Sequence, residues 1–195
     1  SEIFMTSIDM FYTCHKYFGV PDGAYLNTDI RLESLENDTS YERIEYLIGR
    51  YELGANAFYK TCLLEDDKLR YLKLKAMSKL THNILRSLDY DKIEETRKEN
   101  FKYLDCRLAK YNEWKNLTTG TFMYPLLIAE GERLRNALNS NRVYVPQFWK
   151  NVIGTVTANS FENYLIHNLI PLPIDHRYGI NDMRRIVALI EQCLN

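Results

Sequence analysis

Residues 12–26 read YTCHKYFGVPDGAYL. Lys16 stands at the end of an apolar, aromatic run, and a Pro21-Asp22-Gly23 turn follows it. The run IDMFYTC, from Ile8 to Cys14, has the short apolar and aromatic composition of a buried strand. AYLNT, from Ala24 to Thr28, follows the turn and predicts a second strand. Two strands alone are not stable in water, so the pair needs a sheet to join. Lys16 itself has two readings. A lysine where strand passes into loop ordinarily snorkels to solvent. The alternative is an amine held for chemistry. The seven residues before it carry one charge, Asp9, and the glycines at 19 and 23 let a backbone approach something closely. Such an amine attacks a carbonyl only when neutral, and a free lysine ionises near about 10.4.

Downstream the pattern becomes helical. Tyr41, Ile44, Ile48, Tyr51, Ala55, Phe58 and Cys62 recur at helical spacing and predict one inward stripe. Leu69, Leu72, Ala76, Leu80 and Ile84 predict a second. Ile93, Phe101, Leu104, Leu108 and Tyr111 predict a third, with Asp89 as the N-cap of its helix. Arg97, Lys98 and Glu99 fall between the apolar positions, on what a charge pattern of this kind makes a solvated face. After Gly120 the period changes. FMYPLLIA predicts a strand with Pro125 at an edge or bulge. EGERLRNAL predicts a helix, RVYVP a strand, SFENYLIHNL a helix and IPLPI a short extended segment. The last helix, NDMRRIVALIEQCL, is expected to start on Asn181 as N-cap and to turn Met183, Ile186, Val187, Ile190 and Leu194 inward. The alternation of strand and helix predicts an α/β arrangement, with a small three-stranded sheet carrying packed helices at the C-terminal end.

Composition narrows the function. The 195 residues are 46% hydrophobic and 13% aromatic, enough to bury a core. A net charge of −1 argues against nucleic acid or an anionic membrane as partner. The cysteines at 14, 62, 106 and 193 lack the spacing of a zinc or redox pair. Free thiols suggest a reducing compartment, so the cytoplasm is expected. No secretory leader pattern and no membrane-length apolar run is present. His82, His167 and His176 have no ligand-like spacing, and no GxSxG, P-loop or HExxH pattern occurs. Asp22 reads as a turn residue, Trp149 as small-domain core, and Arg177 as a structural partner of Asp175 or of a helix end.

YTCHKYFGVPDGAYL resembles the cofactor-lysine segment of fold-type I pyridoxal-phosphate enzymes, in particular the DegT/DnrJ/EryC1/StrS-type aminotransferases. YPLLIAEGERLRNALNSNRVYVPQFW is similar to that family's small-domain segment, which leads to a tryptophan. LIPLPIDHRYGINDMRRIVALI is similar to its closing signature, and RKENFKYLDCRL to the helix leading into the small domain. The segments come in the family's order and span nearly the whole chain. The resemblance implies that Lys16 holds pyridoxal 5'-phosphate as an imine and that Thr13, three positions earlier, contacts the cofactor phosphate. His15 stands where the family often has a ring or guanidinium. It either faces the site or points away, and strand alternation favours the second while giving Cys14 the face of Lys16. The resemblance further implies three regions. Residues 1–40 would close a large cofactor domain with two leftover strands, 41–115 would be a helical connection, and 116–195 a small α/β domain. It places the ring-stacking aromatic, the Asp on the pyridine nitrogen and most phosphate contacts upstream of residue 1. The chain is therefore expected to be either the C-terminal part of a homodimeric aminotransferase, inactive alone, or a truncated non-catalytic module for assembly or binding. The full enzyme would move an amino group from a small amino donor to a keto-sugar or nucleotide sugar. A lyase or dehydratase of the same fold is the third option.

Overall fold

The structure, a computed structural model, describes residues 9–69 and 71–194. It is a mixture of helices and two small sheets, arranged as two compact units, Ser1–Leu88 and Asp89–Asn195.

In the first unit, strands β1 (Met10–Thr13) and β2 (Ala24–Asn27) pair antiparallel, with Thr13 opposite Ala24 and Met10 opposite Asn27. The predicted start of the first strand at Ile8 lies outside the described residues. The expected burial does not hold. Phe11 is 72% exposed and Leu26 51% exposed, because a two-stranded ribbon offers no layer to cover its faces. A 3-10 turn (Glu42–Ile44) runs into α1 (Glu45–Glu52), and α2 (Tyr59–Leu69) and α3 (Lys79–Arg86) follow. Ser78 caps α3 by accepting from the Thr81 N–H at 3.1 Å. Residues 37 and 76 form a single parallel bridge, with Asp38 N–H on the Ala76 carbonyl and Ala76 N–H on that of Glu36.

The first predicted stripe is corrected outright. Tyr41, Ile48 and Tyr51 are exposed, and the buried positions are Arg43, Tyr46 and Gly49. The helix they were expected to share is also broken between α1 and α2. In the second stripe Leu80 is exposed and its neighbour Leu85 is fully buried, while residues 71–78 are not helical. The core of this unit is small: Cys14, Val20 and Leu85, flanked by Phe18, Met77, Ile84 and Leu88.

The helices of the second unit follow its periodicity more closely. Helix α4 (Tyr90–Leu108) starts on Asp89, whose carboxylate accepts from the Lys92 N–H at 3.0 Å, and buries Phe101, Leu104 and Leu108. Arg97 departs from the expected solvated face: it is buried, and its Nη2 donates to the Phe122 carbonyl at 2.8 Å. Strands β3 (Tyr124–Leu127) and β4 (Leu169–Leu172) pair antiparallel and are buried throughout. Helices α5 (Gly131–Ser140), α6 (Phe161–Asn168) and α7 (Ile180–Leu194) complete the unit. Helix α7 starts one residue before Asn181. Its first turn is closed by Gly179 and Asp182, the Gly179 N–H donating to the Asp182 carboxylate while the Asp182 N–H returns to the Gly179 carbonyl.

The predicted third strand, RVYVP, is not a strand. Val143 and Val145 are buried, but the segment is held by the Leu138 carbonyl and the Asn139 side chain rather than by a ladder. The sheet stops at two strands for a chemical reason. Pro125 faces Pro171 across the pair, and neither has an N–H to offer a further strand. The outward groups that remain on β3 are taken by the adjoining loop. The Pro125 carbonyl accepts from Asn112 Nδ2 at 2.8 Å, the Leu127 N–H donates to Asn112 Oδ1 at 3.0 Å, and the Leu127 carbonyl accepts from the Glu113 N–H. On β4, the Leu169 carbonyl accepts from Arg135 at 3.0 Å.

Candidate functional site

The site is the loop that closes the β1–β2 hairpin. After Thr13 the chain leaves the strand and makes a 3-10 turn over Cys14–Lys16, in which the Cys14 carbonyl accepts from the N–H groups of Tyr17 and Phe18 at 3.0 Å each. Strand alternation therefore does not extend to these residues. Cys14 is buried and points into the small core, while both His15 and Lys16 are exposed. The expectation that Cys14 shares a face with Lys16 is corrected by this turn. Thr13, half-buried and extended at the end of β1, immediately precedes the turn that carries Lys16. The loop ends at Gly23, whose carbonyl accepts from the Cys14 N–H at 3.0 Å and so ties its two ends together. Gly23 has φ +94°, and a Cβ there would stand 2.8 Å from the Thr81 methyl. Only glycine fits.

Asp22 is more than a turn residue. It is buried, and its carboxylate collects groups from distant parts of the unit. Oδ1 accepts from the Thr81 hydroxyl at 2.5 Å, and Oδ2 from the Ser40 hydroxyl at 2.6 Å and from Arg43 Nε at 2.8 Å. Arg43 also pairs with Asp38 at 2.6 Å, and Lys75 approaches Asp38 at 3.8 Å. Ser40 is bonded in turn to the Ser78 hydroxyl. Two carboxylates and two cations thus balance, and the buried ones are paired and hydrogen-bonded as burial demands. Burial works against the charge on Arg43, but the bonds and charges of Asp22 and Asp38 outweigh it and hold the guanidinium charged. Burial, reinforced by Asp22, pushes the Cys14 thiol up, which keeps it protonated. Reading the sequence missed this hub because its members lie up to 59 residues apart.

The second unit holds the other residues the sequence singles out. Arg177 makes a bidentate pair with Asp175, Nε to Oδ1 at 2.6 Å and Nη2 to Oδ2 at 3.1 Å, as expected of a structural arginine. Trp149 is not core: it is 49% exposed and sits at φ +57°. His176 is held below the ordinary histidine range, first by burial. Among the described residues no three His, Cys, Asp or Glu side chains gather as a metal cage, and no helix is long and apolar enough to cross a membrane.

An aldehyde cofactor needs an accessible amine and a hydrogen-bond donor beside it. Lys16 is accessible, and Thr13 precedes it by three residues at the end of β1. No family model matches the sequence, and no curated protein matches it. The structure is similar to the crystal structure of a DegT DnrJ EryC1 StrS aminotransferase from Brucella abortus, with a TM-score of 0.54 and 12% sequence identity. The match covers 94% of this chain and 50% of that one, so the chain spans about half the length of the solved structure it matches. At this identity the likeness is one of fold.

Proposed function

We propose that the chain is the C-terminal portion of a pyridoxal-phosphate-dependent aminotransferase and that Lys16 is its cofactor lysine. The observation that carries this reading is a fold likeness over 94% of the chain to an aminotransferase, joined to a closed loop in which an exposed Lys16 follows Thr13 by three residues. On this reading residues 1–40 end a cofactor domain, 41–115 connect, and 116–195 form the small domain. When bound, the cofactor supplies an electron sink. Lys16 holds it through the amine nitrogen and, once released, carries a proton to and from the donor's α-carbon. Thr13 donates a hydrogen bond to the phosphate. His15, exposed beside Lys16, lines the approach. The substrates of the whole protein are a small amino donor and a keto-sugar acceptor, and the whole protein works as a homodimer in the cytoplasm.

The test is chemical. Incubation with pyridoxal phosphate followed by borohydride reduction and peptide mapping is expected to place the label on Lys16 in preference to the other lysines, and Lys16→Ala is expected to remove it. Label spread evenly over surface lysines would overturn the reading. One observation favours the alternative of a non-catalytic module for assembly or binding. Lys16 is exposed, whereas an amine kept for chemistry is ordinarily withdrawn from water. The same labelling experiment separates the two.

A further inference from the structure

We infer that Asp22 is the positioning residue of the Lys16 turn, acting through Thr81, Ser40 and Arg43. The inference rests on the reading of Lys16 as the cofactor lysine. A Pro-Asp-Gly turn needs its aspartate only for local backbone bonds, yet here both carboxylate oxygens go elsewhere. Three segments converge on them: Ser40, Arg43 in the 3-10 turn that precedes α1, and Thr81 in α3. A buried ion pair adds little net stability compared with well-packed apolar groups, and what it supplies is a fixed geometry.

That geometry reaches the lysine by a short chain of bonds. Asp22 is fixed to α3 and Arg43. At the next residue, Gly23, the side chains of Thr81 and Met77 leave no room for a Cβ, and its carbonyl holds the Cys14 N–H. The Cys14 carbonyl holds the N–H groups of Tyr17 and Phe18, which closes the turn that carries Lys16. Buried Cys14 and Val20 pack with Leu85 of α3, so both ends of the loop rest on the same helix. If the Asp22 carboxylate lets go of Thr81, the turn loses its registration against α3 while Lys16 keeps its own covalent surroundings.

The experiment uses the protein with Thr81→Val, which removes the hydroxyl and keeps the volume, and Thr81→Ser, which restores the hydroxyl. Asp22→Asn is the stronger variant, and the Thr81 pair decides the matter if that variant fails to fold. The first readout is the pyridoxal phosphate concentration giving half-maximal borohydride-trapped label at Lys16. Thr81→Val is expected to raise it roughly tenfold, the size of one hydrogen bond to a charged group, and Thr81→Ser to bring it back. A merely structural threonine would lower the melting temperature without moving this concentration. The second readout, taken without cofactor, is hydrogen exchange at the Tyr17 and Phe18 amides relative to those of α4. It is expected to quicken in Thr81→Val and to recover in Thr81→Ser. Wild-type labelling at Lys16 with no change in Thr81→Val overturns the inference. No wild-type label at Lys16 overturns the cofactor reading instead. Exchange then decides the positioning claim alone: quickening upholds the tie between Asp22 and the turn, and unchanged exchange refutes it.

Discussion

Two single residues carry measurable consequences. Gly23→Ala is expected to destabilise the first unit by roughly 2–3 kcal/mol, since it adds a strained left-handed backbone to a collision with the Thr81 methyl. Urea denaturation followed by a probe in residues 9–88 reads this directly, and a loss under about 0.5 kcal/mol, the size of an ordinary surface substitution, would contradict the geometry. In the second unit Tyr124 is fully buried, with its hydroxyl donating to Asp105 at 3.1 Å. Burial pushes its phenol up to about 12, with the Asn112 bond pulling the other way and Asp105 adding to the rise. The folded pKa lies above the unfolded value of about 10, so the stabilisation is fully present below that pH and is lost as pH rises from there toward 12. Tyr124→Phe is expected to flatten that alkaline decline in stability. An unchanged slope would mean that the hydroxyl is not shielded. The Asp22 hub belongs to this scale too, and it shows where reading single residues stops. The turn was legible from Pro21-Asp22-Gly23, but partners at Ser40, Arg43 and Thr81 follow from the tertiary fold, which no local pattern encodes.

At the scale of elements, legibility follows burial. Helices α4 and α7 were readable because each lays one apolar stripe on a large core, and Asp89 announced its own cap. Helix α1 was misread because it buries Tyr46 and Gly49, with Arg43 buried in the 3-10 turn before it, while Ile48 and Tyr51 of the expected stripe are exposed. The β1–β2 hairpin was legible in its strands and misjudged in its burial, since composition says what a strand can pack against and not what is there. The third strand failed on prolines that a sequence window sees one at a time and only the pairing sets opposite each other. Asn112 shows how an element can be finished by one side chain. Asn112→Ala is expected to cost about 2 kcal/mol, because it strands the Pro125 carbonyl and the Leu127 N–H in a buried place. Thermal unfolding with a core probe near Leu126 checks this. A near-neutral result would mean that water replaces the amide.

For the molecule as a whole, the two units differ in how much they bury. The second has a continuous core from Phe101 to Ile190 through β3 and β4, and the first has Cys14, Val20 and Leu85 with their partly covered neighbours. Native-state hydrogen exchange is expected to find the slowest amides at Leu126 and Ile170 and much faster ones in α1 and α2. Residues 89–195 expressed alone are expected to unfold cooperatively. Equal protection in both units would refute this ranking. The paired prolines give the second unit a further property. When a protein is heated or partly opened, exposed backbone donors recruit the same segment from other copies and fibrils grow. Pro125 and Pro171 each withhold an N–H on their edge of the ribbon, so a unit that has shed its helices is expected to be a poorer template for such growth.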